Sequence, residues 1–299
     1  MNLSPGLKGL SASVAAAVAL TFMYLISKSV LNDVHITQFG FYWYGIAIVL
    51  ISVYIIITGR IKALLALDTS VLAVLGTISF VELIATVSFF YSIHLMENPA
   101  IVAFIGNTNP VFVMIMGFFF LRERFTLMEF LGMGFIVVGM SLISISGIGS
   151  FQGFFRQGTG WAVIAAFFFA LGGIIAKHKI KVLDPVIITL SRSLVLFVFS
   201  AVTLFITGHS LLIPAATYSK IAVGAFVGPF LSALFVYTAL KYIEATRAAM
   251  IISSRSILIL IGAWLLWENL PAPAQLIGGF IILAGVFLLS AGKLRKSRG

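Results

Sequence analysis

Phe120-Leu121-Arg122-Glu123-Arg124 and Leu265-Leu266-Trp267-Glu268-Asn269 occupy the same place in two copies of one unit, and that repetition decides the fold. Each stretch closes the fourth apolar run of its half. The run that follows carries Gly132, Gly139 and Ser144 in the first copy and Gly278, Gly285 and Ser290 in the second. Glu123 and Glu268 stand 145 positions apart, as do Gly117 and Gly262, whereas the glycine and serine pairs of the fifth run stand 146 apart. One single-residue gap therefore aligns the copies. A unit with an odd number of membrane spans must insert its two copies upside down relative to each other. That is the architecture of a transporter with a site between its halves.

Composition supplies the membrane. Of 299 residues 61% are hydrophobic and 9% charged, and the mean hydropathy is +1.16; a soluble domain carries about 25% charged residues. The short alternating segments of a β-barrel are missing, and no polar stretch is long enough for a separate soluble domain. The expected fold is an all-α integral membrane protein of ten transmembrane helices, at about 7–31, 37–58, 71–94, 98–121, 126–147, 158–177, 185–207, 217–240, 245–267 and 273–292, each near the ~20 residues that span a bilayer. The boundary between the five-helix repeats, 1–149 and 150–299, falls in a connector with Gly149, Ser150, Gly153 and Gly158. No cleavable leader is read at the start, since the first run is long enough to span.

Cysteine is absent, which excludes disulfides and thiolate metal sites, and the four histidines (His35, His94, His178 and His209) show no ligand spacing. No metal and no cofactor is expected. The net charge of +10 does not mean nucleic acid. With the N-terminus inside, 13 of the 19 basic residues lie on inside segments, among them Lys8, Arg60, Lys177 and the tail from Lys293; Lys28, Arg156 and Lys220 lie outside, and Arg192, Arg247 and Arg255 lie within or at the ends of helices. The bias puts both termini in the cytoplasm, and the expected location is the cell (inner) membrane, as a multi-pass protein.

The motifs Thr108-Asn109-Pro110-Val111-Phe112 and Leu121-Arg122-Glu123-Arg124, followed by Gly132 and Gly139, resemble the drug/metabolite transporter superfamily in its ten-helix EamA-type branch. The resemblance covers essentially the whole chain. It implies a central cavity lined by helices 1–4 and 6–9, with helices 5 and 10 peripheral, and a small-metabolite substrate, often exported. Members move amino acids, sugars, nucleotide-type metabolites, cofactors or quaternary amines. One departure stands out: aligned on the 145-residue offset, Arg255 takes the place of Pro110, where members of the family usually have proline in both halves.

Ionisable groups inside a membrane are costly, so they face a cavity or a partner. Glu82, with Ser79 and Thr86 on the same helical face, reads as a contact for a substrate ammonium or as a protonatable coupling site; the alternative is a structural partner for an arginine. Arg255, among Ser253, Ser254 and Ser256, suits planar recognition of a carboxylate or phosphate, the alternative being an ion pair with Glu82. Arg192 lies seven residues after Pro185, shallow enough to snorkel to the cytoplasmic interface, and is read as structural, with coupling or gating as its other role. Asn107, Thr108, Asn109 and Pro110 interrupt an apolar run opposite Ser253–Ser256, as polar breaks at matching places of a cavity do; helix–helix hydrogen bonding is the plainer reading. Tyr91 and Tyr237 occupy similar places late in helices 3 and 8 and are read as cavity or gate residues. Lys28 sits where positive charge is disfavoured and is read as a residue of the outer mouth. Glu123 and Glu268 are read as structural groups that pair locally or cap the next helix.

There is no Walker A sequence, no Gly-x-Gly-x-x-Gly in a strand–helix context and no close nucleophile–histidine–acid set, so no enzyme is expected. The residues describe a secondary transporter working by alternating access. A guanidinium and a carboxylate in one cavity suit a zwitterion, and amino acids or related amphipathic solutes come first. Phosphorylated or nucleotide-like metabolites follow, with a lipid flippase or a non-transporting scaffold as the reading from another class. The expected partners are a small-molecule substrate, the lipid bilayer and a proton as coupling ion, with the protein a monomer or homodimer.

Overall fold

The computed structural model describes residues 4–122, 125–145, 158–180, 183–268 and 270–296, with side chains left undescribed at 143–145 and 289–296. Glu123, Arg124, Asn269, Arg156, most of the connector between the halves and the side chains of Ser144, Ser290 and the basic tail thus lie outside the described residues. All regular structure among the described residues is helical. The helices are α1 (Pro5–Leu31), α2 (Ile36–Ile57), α3 (Thr69–Leu95), α4a (Pro99–Gly106) and α4b (Asn109–Leu121), α5 (Leu127–Ile145), α6 (Thr159–Lys179), α7 (Pro185–Thr207), α8a (Ala215–Ala225) and α8b (Ala233–Tyr242), α9a (Ala245–Ser253) and α9b (Arg255–Trp267), and α10 (Pro273–Lys296). A π-helical turn, Phe226–Ser232, joins α8a to α8b, and a single turn at Ile61–Leu65 bridges α2 and α3. With the broken helices counted whole, eight are long and apolar enough to cross a membrane; Leu127–Leu142 and Pro273–Leu288 are shorter apolar stretches.

Local chemistry sets the helix starts. Asn98-Pro99 and Asp184-Pro185 each put a capping side chain before a proline that has no N–H to satisfy: Asn98 Oδ1 accepts from Ala100 N and Asp184 Oδ1 from Val186 N, both at 2.8 Å. The N-termini of α5 and α10 are held by Glu129, which accepts from Thr126 N at 2.6 Å, and by Gln275, which accepts from Ala272 N at 3.0 Å. Capping of these helices thus falls to Glu129 and Gln275. Glu268 instead ends α9b in a left-handed conformation, at φ 51°.

Antiparallel pairing of equivalent helices shows the inversion. Gly139 lies against the carbonyl of Gly278, and Gly285 against that of Gly132, so that a Cβ on either would come within 2.6 Å of backbone oxygen. As α5 advances, α10 retreats. Likewise Arg60 at the end of α2 pairs with Asp184 at the start of α7, while Gln38 at the start of α2 donates to Ser210 O beyond the end of α7.

Helix boundaries refine the alignment of the copies. α4b and α9b begin and end 146 positions apart, and α4a and α9a begin 146 apart, so Arg255 stands in the place of Asn109, not of Pro110. Pro110 accounts for the break in α4. In α9 serines do the same work without a proline: Ser253, Ser254 and Ser256 hydroxyls donate to the carbonyls of Ala249, Ile251 and Ser253, competing with the helical ladder. Helix 8 spans 28 residues against 27 in α3, and the wider π turn, built around Pro229, takes up the extra one. Beyond that turn the offset is 147, which matches Tyr237 to Phe90 and leaves Tyr91 out of register.

The halves also exchange a helix. α1 packs on the helices of the second half, α8 and α9, whereas α6 packs on α3 and α4 of the first. Two mixed groups result, α1/α8/α9 and α3/α4/α6, flanked by the antiparallel pairs α2/α7 and α5/α10.

Candidate substrate cavity

Between the two mixed groups lies a cavity of about 170 Å³. α1 to α4 and α6 to α9 all line it, and among the described residues α5 and α10 contribute none. Its walls are mostly apolar and aromatic, with Tyr24 and Phe89 in edge contact at 4.7 Å between ring centroids.

Glu82 of α3 and Arg192 of α7 meet in its wall, Arg192 Nε lying 3.0 Å from Glu82 Oε2. The pair is close without the alignment of a hydrogen bond, since Nε finds no such partner. Arg192 Nη2 donates to Thr86 Oγ1 at 3.1 Å. The Tyr237 hydroxyl faces the Glu82 carboxylate from α8b, again short of full hydrogen-bond alignment. Gly172 of α6 leaves the space beside Glu82 Oε1 that a side chain would fill. Next to the pair, Ser79 and Ser191 share a 2.8 Å hydrogen bond that ties α3 to α7.

Arg255 enters from the break in α9. Its Nη1 donates to Ile252 O at 3.2 Å, and its guanidinium lies 5.7 Å from the centre of the Tyr24 ring. Gly106, at the break in α4, leaves room for both the Tyr24 hydroxyl and Arg255 Nη2. Among the described residues no carboxylate pairs with Arg255. Glu82, Arg192 and Arg255 together leave the cavity one formal positive charge.

The structure brings Glu82, Asn109, Arg255 and Tyr237 to the cavity, and Arg192 with them. Arg192 is 9% exposed and turns inward to Glu82; it does not snorkel, because an unpaired carboxylate in the interior attracts it more strongly than the interface does. The partner of Glu82 is therefore Arg192 and not Arg255. Four other expectations are corrected. Asn107 is fully buried and donates to Ser256 Oγ at 2.9 Å, so it joins α4 to α9 outside the lining. Ser254 is exposed and binds its own helix. Tyr91, 40% exposed, packs edge-on against Trp161. Lys28 is buried, and its Nζ donates to Ile93 O and Met96 O at the end of α3. Lys177 does the same for Leu240 O and Ile243 O at the end of α8b.

Tyr24, Phe89 and Phe169 also line the cavity, and nothing in their spacing singles them out in a chain with 28 phenylalanines. Pro229 carried a usable signal, as a proline in the middle of an apolar run.

The paired antiparallel helices, the two broken spans and the charged cavity between mixed helix groups define a multi-pass membrane protein of the inverted-repeat transporter class. A model of the EamA-like transporter family matches residues 7–145 and 156–291, and the chain belongs to that family. It is thus a membrane transporter. No curated protein matches the chain. A solved structure titled only "Crystal structure of protein" shares the fold at a TM-score of 0.70 and 15% identity, over 97% of each chain.

Proposed function

We propose that the protein is a secondary transporter of small amphipathic solutes bearing a carboxylate, amino acids first, exposing the cavity alternately to the two sides of the membrane. Arg255 carries this reading: a guanidinium in an aromatic cavity, held by its own helix and the Tyr24 ring, with no carboxylate partner among the described residues. Arginine meets a carboxylate with two parallel hydrogen bonds, strengthened where water is scarce. Asn109, at the equivalent break of the other half, orients polar atoms of the solute. Glu82 faces the ammonium end. It is also the candidate proton site, since its neutralisation would release Arg192 and raise the cavity's formal charge from +1 to +2. A phosphorylated or nucleotide-like solute would call on both guanidiniums, and Arg192 is already engaged. Export, as the family resemblance implies, is the expected direction.

The test is thermal stabilisation of the purified full chain by amino acids, their amides, phosphorylated sugars, nucleotides and quaternary amines. A ligand at a hundred times its Kd adds about 2.7 kcal/mol to a protein that binds it only when folded. Amino acids are expected to stabilise, their amides are not, and Arg255→Gln is expected to lose the effect. Equal stabilisation by acid and amide would overturn the reading, as would a selective response to phosphorylated solutes. A flat panel would turn it toward a lipid-like substrate.

A further inference from the structure

At the end of the molecule where α1 finishes and α2 begins, His35 and His209 stack, with ring centroids 3.8 Å apart and planes 31° from parallel. The stack joins the two halves, His35 opening α2 and His209 following α7. Two hydrogen bonds accompany it: Gln38 Nε2 donates to Ser210 O at 2.6 Å, and the Tyr42 hydroxyl donates to Leu211 O.

His35 is also the N-cap of α2. Its Nδ1 accepts from Thr37 N at 3.4 Å, and its own N–H donates to Gln38 Oε1 at 3.0 Å. Nδ1 also lies 2.8 Å from Thr37 Oγ1; with the Thr37 backbone N–H donating to it, Nδ1 is the bare nitrogen, accepting from the hydroxyl as well, and Nε2 carries the hydrogen. A second proton must then go to the capping atom itself. It would turn Nδ1 into a donor toward Thr37 Oγ1, take the cap bond from Thr37 N, place positive charge at the positive end of the α2 dipole and set an imidazolium against a second imidazole.

We propose that the His35–His209 stack is an acid-released latch between the halves: protonation of His35 uncaps α2 and parts it from the 208–213 segment. The surroundings resist that proton. Desolvation, then His209, then His94 hold the His35 ring below the ordinary histidine value. The nearby acids are otherwise occupied, Asp33 with Lys220 at 3.0 Å and Glu97 in the field of Lys28. The released ring regains its ordinary affinity for protons. The latch is therefore firm above about pH 6.5 and weakens as pH falls from there through the lowered value of the closed form. It stands whatever the cavity carries.

The chain has no cysteine, so spin labels attach cleanly at Asn32→Cys and Leu212→Cys, both exposed positions flanking the stack. Distances measured by pulsed electron resonance in lipid nanodiscs should be narrow at pH 8 and gain a longer component at pH 5. His35→Asn keeps a capping side chain without a titratable ring and should stay narrow at both values. His209→Lys, which sets a fixed charge beside His35, should show the longer component at pH 8. Identical distributions of the parent at both pH values, or a pH response that survives in His35→Asn, would overturn the latch.

Discussion

Glu82 and Arg192 depend on each other. Each is buried in the wall of the cavity, and among the described residues neither has a second ion-pair partner. Removing one strands the other's charge, at a cost on the order of 3–5 kcal/mol, whereas replacing both by uncharged side chains of similar size is far milder. Glu82→Gln and Arg192→Met should each lower the unfolding temperature clearly, and the double variant should recover most of the loss. Additive single effects in a thermal melt would show the pair to be energetically idle. Lys28→Met and Lys177→Met should cost similar amounts, about 1–3 kcal/mol per carbonyl left without a donor. A melt in which only one of them matters would break that equivalence. At this scale the sequence was half legible. That Glu82 and Arg255 are functional candidates follows from the rarity of charge inside a membrane. Which arginine takes Glu82 does not, since the approach of α7 to α3 is a tertiary fact. Lys28 misled because a side chain placed against the charge bias suggested a cavity mouth, when the unpaired carbonyls of a neighbouring helix end were its reason.

α5 and α10 cross backbone against backbone at Gly132/Gly285 and Gly139/Gly278, with Ile136 and Ile282 wedged beside them. Any side chain there forces the helices apart. Gly139→Leu and Gly285→Leu should both lower thermal stability by several kcal/mol, overpacking at its more severe end, while the lipid-facing Val137→Leu should do nothing measurable. Equal melts for all three would remove the crossing from the account of stability. Asp68, which caps α3 through Val71 N at 2.8 Å, adds a pH test. Hydrogen bonds from Val71 and Ser70 hold its carboxyl below the usual range, so its cap is present above about pH 4 and fails as pH drops through the lowered value. Fraying of the first turn of α3 in strong acid, absent in Asp68→Asn, is the expected outcome by hydrogen exchange. The repeat could be read from spacing alone, down to the glycines. What spacing could not supply was the π turn. One inserted residue in helix 8 leaves hydropathy unchanged, yet it moves the equivalent of Tyr237 from Tyr91 to Phe90 and so from the outer surface to the cavity.

For the molecule as a whole, the exchange of α1 and α6 means that, under the proposed alternating access, the bodies expected to move are the two mixed groups and not the halves of the sequence. A link inside one mixed group should be harmless and a link between the groups should arrest exchange. Lys8→Cys with Tyr242→Cys joins α1 to α8b within one group, where the Lys8 ammonium already lies 5.9 Å from the Tyr242 ring centre. Asn107→Cys with Ser256→Cys joins α4 to α9, one from each group. Exchange of the amino acid that best stabilises the protein should survive oxidation of the first pair and stop, reversibly on reduction, with the second. Arrest by the first pair would return the motion to the sequence halves. The exchange has a historical consequence as well. Neither half can complete its own packing, because its first helix belongs to the other. Had the ancestor been a five-helix chain assembling in pairs, those pairs were already intertwined, each subunit lending its opening helix to its neighbour. Fusing such a pair would then have tied together two partners already unable to part without unravelling.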